Sequence, residues 1–100
     1  MRVGAGNFRP SLDTKVRVPP HVVYRNFAAE TAVLNLETGE YRGLSPAAGR
    51  ALELLDRAGS ARLAAATLAG ESGTPLEKAE RECAAWCARF GNLGFIEVSP

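Results

Sequence analysis

Cysteine is nearly absent from this 100-residue chain: only Cys83 and Cys87 occur, in a strongly helical stretch. Side chains so spaced share one helix face without disulfide geometry, which excludes a stapled secreted scaffold and points to reduced, buried thiols. Histidine is scarcer still, with His21 alone. A Cys–His catalytic pair would need long-range folding to assemble, and His21 with Cys83 and Cys87 makes a poor zinc set, because structural zinc uses a closer cysteine pair and a second pair elsewhere. No metal, cofactor or catalytic group is expected. Excess charge is lacking too, with 12 Lys and Arg against 11 Asp and Glu, so no overall field draws the chain onto nucleic acid or anionic lipid. No apolar run follows Arg2 to make a signal peptide, and no stretch reaches bilayer length. A cytoplasmic protein without a membrane partner is the expectation. Gly4 and Gly6 precede any strand, the wrong context for a dinucleotide phosphate loop.

What is present suffices for one core, since 46% of residues are apolar. Residues 1–14 are poor in apolar side chains and read as a flexible N-terminal arm, mildly basic, with the domain proper over residues 15–100. From Lys15 to Leu44 β-branched and aromatic residues dominate: Val16 and Val18, then Val22 to Phe27, Thr31 to Leu36, and Tyr41 to Leu44. Ala28-Ala29-Glu30 and Glu37-Thr38-Gly39 supply turns, which predicts an antiparallel meander. Ser45-Pro46 then offers an N-cap followed by a first-turn proline, and a helix is predicted to about Ala58, stopped by Gly59. Ser60 caps a second helix ending at Gly70 or Gly73, and Thr74-Pro75-Leu76-Glu77 reads as a capping box opening a third helix to about Leu93. Gly94 ends it, and Phe95 to Val98 reads as a short closing strand against the sheet or a helix.

The predicted fold class is therefore α+β: a winged helix-turn-helix-like domain with an N-terminal three-stranded antiparallel sheet, three helices and a short C-terminal strand. That order serves both DNA binders and peptide binders. The stretch Leu34-Asn35-Leu36-Glu37-Thr38-Gly39, followed by Tyr41-Arg42-Gly43-Leu44-Ser45, is more specific. With His21-Val22-Val23, Glu30 to Val33, Gly49, Phe90 and Gly94-Phe95-Ile96, it resembles the PqqD-like precursor-recognition domains over roughly residues 16 to 98. The likeness is strongest to the stand-alone leader-binding proteins of lasso-peptide biosynthesis. It departs in an alanine-rich second helix and in Trp86, Cys83 and Cys87, where aliphatics are ordinary, so the resemblance carries the fold but not the shape of the pocket. The resemblance implies a non-enzyme that binds a precursor leader peptide as an added strand. It further implies delivery of that peptide to a separate, transglutaminase-like cysteine leader protease.

The residues allow a parallel reading without the family. A strand from Glu40 to Leu44 that follows a turn and runs into a helix lies at a sheet edge, with backbone groups free to take an extended guest. Main-chain bonds supply affinity, and guest side chains entering a groove beside the third helix supply specificity. That helix carries the apolar stripe Leu76, Ala79, Cys83, Trp86, Cys87 and Phe90, with Glu82 and Arg89 beside Trp86. The candidate peptide-binding residues are Glu40, Tyr41, Arg42, Gly43, Leu44, Glu82, Cys83, Trp86, Arg89 and Phe90. The competing reading makes Tyr41, Leu44 and Trp86 plain core cover. The rival function is a winged-helix DNA-binding protein, against which the third helix sets Lys78, Arg81 and Arg89 beside Glu77, Glu80 and Glu82.

Overall fold

Asn35 staples the turn that sets the sheet. Its Oδ1 accepts from the backbone N–H groups of Glu37 (2.9 Å) and Thr38 (3.2 Å), and its own N–H donates to the Glu40 carbonyl at 2.9 Å. Gly39 closes the turn at φ 76°, a left-handed conformation in which a side chain would be strained. In the computed structural model, which describes residues 10–99, this turn joins two strands of a meander. The elements are β1 (Val16–Arg17), β2 (Val22–Asn26), β3 (Thr31–Asn35), β4 (Tyr41–Leu44), α1 (Pro46–Ala58), α2 (Ala61–Ser72), α3 (Leu76–Leu93) and β5 (Glu97–Val98). The three-stranded sheet has the order β2-β3-β4, all antiparallel, with Val33 opposite both Tyr24 and Arg42.

One sheet face rests on the helices. Val22, Thr31 and Val33 are buried there against Leu52, Leu55, Cys87 and Phe90 of the core, and each fully buried Leu or Phe contributes about 1.5–3 kcal/mol. Tyr24 shares this face, and its hydroxyl donates to Asp56 Oδ2 of α1 at 2.6 Å, tying β2 to the helix. Helix α1 passes so close to β3 that a Cβ on Gly49 would fall inside the Thr31 side chain, so glycine is required by space there. Ala61, Ala64 and Ala65 give α2 a small-residue face that lets it sit close to its neighbours α1 and α3.

The helix boundaries follow the sequence reading with one difference. Ser45 and Ser60 cap α1 and α2, and Gly59, Gly73 and Gly94 end the three helices in left-handed conformations. Thr74, however, is not a cap: α3 starts one residue later than expected, with Pro75 at the N-cap and no side-chain bond. The Thr74 hydroxyl instead meets that of Ser72 at 2.6 Å. Leu76, counted in the apolar stripe, is exposed.

The closing strand does not join the main sheet. β5 pairs antiparallel with β1, Val16 opposite Val98 and Arg17 opposite Glu97, and the latter pair forms an ion pair of 2.7 Å. Residues 1–9 of the expected arm lie outside the described residues. Its last residues make contacts: Asp13 pairs with Arg62 at 2.6 Å, and Arg62 N–H donates to the Leu12 carbonyl. The Arg62 guanidinium bonded to Asp13 holds that carboxyl below its usual range.

Candidate functional site

β4 is an outer strand, and its register decides which backbone groups it offers. Opposed residues in an antiparallel pair alternate between exchanging hydrogen bonds and not exchanging them. The bond from Asn35 N–H to Glu40 C=O places Val33–Arg42 and Thr31–Leu44 among the bonded pairs. Leu34–Tyr41 and Ala32–Gly43 are the non-bonded ones, so the N–H and C=O groups of Tyr41 and Gly43 point outward along the open edge. The other side of β3 has the matching phase. Leu36 N–H donates to the His21 carbonyl and Phe27 N–H to that of Glu30, which turns Ala32 and Leu34 towards β2.

Side-chain direction alternates as well. Because Val33 is buried on the helix side, its partner Arg42 and the next alternate residue, Leu44, face the helices. Tyr41 and Gly43 face away. On that far face the Tyr41 hydroxyl donates to Glu30 Oε2 at 2.8 Å, and this bond holds the phenol above its usual pKa. The same carboxylate drapes over Gly43, where an added Cβ would come 2.5 Å from Glu30 Oε1.

Between β4 and the last two turns of α3 lies a groove of about 710 Å³, large enough for several guest side chains. Arg42, Gly43 and Leu44 form one wall, and Trp86, Arg89 and Phe90 the other. Trp86 stacks on Phe90 with ring centroids 5.4 Å apart, and the Arg89 guanidinium lies 5.2 Å from the Trp86 centroid, within cation–π range. Phe90 in turn meets Phe95 at 6.3 Å, so the groove floor is anchored in the core. Trp86 also borders two smaller cavities, of about 240 and 170 Å³, on its other sides.

Of the residues singled out from sequence, six thus gather in the groove. Glu40 and Tyr41 stand at the start of the strand, outside it. Glu82 lies a turn back on α3, bordering the smaller cavities, with its carboxylate 3.9 Å from Lys78. Cys83 is 2% exposed, behind Trp86. Ser45, Ala48, Asn92 and Leu93 line the groove and were not singled out. Leu93 continues the α3 series one turn past Phe90, a spacing that would have found it; Ser45 was read only as a cap.

Both cysteines are free and buried. Burial, then the neighbouring Cys83, pushes the Cys87 thiol up to about 11, and burial, then Glu82, raises that of Cys83. Both are protonated near neutrality, unlike a thiolate nucleophile. His21 lies elsewhere, 3.8 Å from Glu37. Among the described residues there is no group of three or more His, Cys, Asp or Glu able to hold a metal, and no helix long and apolar enough to cross a membrane.

Residues 30–96 match the family described as Coenzyme PQQ synthesis protein D (PqqD). Among solved structures, "TbiB1 in Complex with the TbiA(beta) Leader Peptide" has the same fold at a TM-score of 0.70 and 21% identity, covering 84% of this chain and 98% of that one. "Lasso peptide synthetase B1 complexed with the leader peptide" has a TM-score of 0.69 and 23% identity, covering 83% of this chain and 98% of that one. Comparison with curated proteins returns no match.

Proposed function

Since the chain belongs to the PqqD family, we propose that it is a peptide-binding adaptor, which takes the leader segment of a ribosomally made precursor as a strand added to β4. The observation that carries this reading is the coincidence of an open edge with a groove. The outward N–H and C=O groups of Tyr41 and Gly43 run beside the cavity walled by Trp86, Arg89 and Phe90. An added strand would bond to the edge and drop alternate side chains into that cavity. The two similar structures, both leader-peptide complexes, support the same class of ligand.

The adaptor presents the bound precursor, in the cytoplasm, to a separate leader protease of the transglutaminase-like cysteine class, and performs no chemistry itself. Its two thiols are buried and protonated, which supports that division of labour. A DNA-binding role draws less support, because Lys78 of α3 lies beside Glu82, and Glu77 and Glu80 share the helix with Arg81 and Arg89.

Trp86 is the sole tryptophan, so its fluorescence reports directly on the groove. Titration with the synthetic leader of the precursor encoded at the same locus should shift the emission saturably. Absence of any shift or calorimetric heat up to millimolar peptide would sink the proposal.

A further inference from the structure

Arg42 and Arg89 line the groove from opposite walls, and no carboxylate lines it with them. Four arginines elsewhere are neutralised: Arg17 by Glu97, Arg57 by Glu53, Arg62 by Asp13 and Glu80, and Arg50 by Glu53 and Glu71. Neither Arg42 nor Arg89 has a carboxylate partner among the described residues; Arg25 and Arg81 also lack one but lie off the groove. The nearby acids are committed, Glu30 to Tyr41 on the far face and Glu82 beside Lys78. A guest strand laid along β4 would cover both guanidiniums, and covering a charge without a partner is costly.

The register says where the partner must come from. Guest residues that bond to Tyr41 and Gly43 flank one that stands opposite Arg42 in a non-bonded pair, where Cα atoms approach to about 4.5 Å and side chains share a face. That face is the groove. The guest residue opposite Leu44, two earlier in an antiparallel guest, meets the apolar lining of Leu44, Ala48, Phe90 and Leu93.

Resting on the leader-binding reading, we infer that the groove is selective for a guest with an apolar residue, one spacer and then an aspartate or glutamate, whose carboxylate is held between Arg42 and Arg89. The planar guanidinium fork suits a carboxylate, and the cation–π contact with Trp86 keeps Arg89 placed without neutralising it.

The test is selection of random twelve-residue peptides displayed on phage against the full chain, then against R42Q/R89Q, with R25Q/R81Q as the control of equal charge change. Enriched peptides should carry the apolar-x-acidic pattern, and R25Q/R81Q should select the same pattern. In R42Q/R89Q, checked for a native circular dichroism spectrum, the acidic preference should vanish while the apolar one stays. Within a selected peptide, Glu→Gln at the acidic position should weaken binding to the native chain about fivefold and to R42Q/R89Q by less than twofold. Enrichment of neutral or basic residues there, or an acidic preference that survives in R42Q/R89Q, would overturn the inference and leave strand addition standing. Failure to enrich any peptide able to shift Trp86 emission would remove the leader-binding reading and the inference with it.

Discussion

Arg42 stands opposite Val33 in the bonded phase of the β3–β4 ladder, so its N–H serves the sheet and not a guest. Proline at position 42 should therefore damage folding, by about 2 kcal/mol or more, because the buried Val33 loses a partner. Proline at Gly43 removes an outward N–H and should spare the sheet while weakening leader binding. Gly43→Ala, which adds a Cβ near the movable end of Glu30 but keeps the N–H, is the control. Thermal melts and anisotropy titrations of the three variants check this; a melting loss for the position-43 proline as large as for position 42 would reverse the assignment of phase.

Trp86 bridges core and groove through its stack on Phe90. Trp86→Ala should cost about 1–3 kcal/mol of leader binding if a guest anchor rests on the ring, and Trp86→Phe, which preserves a stacked aromatic, should cost less. Calorimetric titration of each variant, with melts run alongside, separates binding from folding.

Cys87 makes stability depend on alkaline pH. Its folded pKa is raised from 9.0 to about 11 by burial, then by Cys83, so the folded state holds a proton that the unfolded state releases. The stabilisation is complete below about pH 8.5 and falls as pH rises towards 11, with a slope of at most about 1.4 kcal/mol per pH unit. Urea melts of the native chain and Cys87→Ala between pH 8 and 10.5 should diverge in that sense, the native chain losing more. Parallel curves would contradict it.

Duplex DNA should bind weakly. The acids on α3 offset its cations, so phosphate contacts would be few and leader affinity should change less with salt than that of a DNA binder. Submicromolar duplex binding with a steep salt slope and no response to leader peptide would favour the rival function.

The elements were legible because their punctuation is local: Ser45-Pro46, Ser60, and the glycines 39, 59, 73 and 94 each mark a boundary by backbone chemistry. The groove was half legible. Arg42, Leu44, Trp86, Arg89 and Phe90 follow from an edge strand beside a helix stripe. That Tyr41 faces away could not be read, because sidedness depends on the register that the Asn35 turn imposes. Thr74 misled for a related reason: Ser72, two residues back, competes for its hydroxyl. The pairing of β5 with β1 is a contact across 80 residues, set by where α3 ends, and no local signal encodes it.

Amide exchange of the native chain with and without leader tests strand addition most directly. Leader should slow exchange at Tyr41 and Gly43 while Arg42, already bonded within the sheet, changes little, and α3 near Trp86 should gain protection. Protection confined to α1 and α2, with Tyr41 and Gly43 unchanged at saturating leader, would contradict the account.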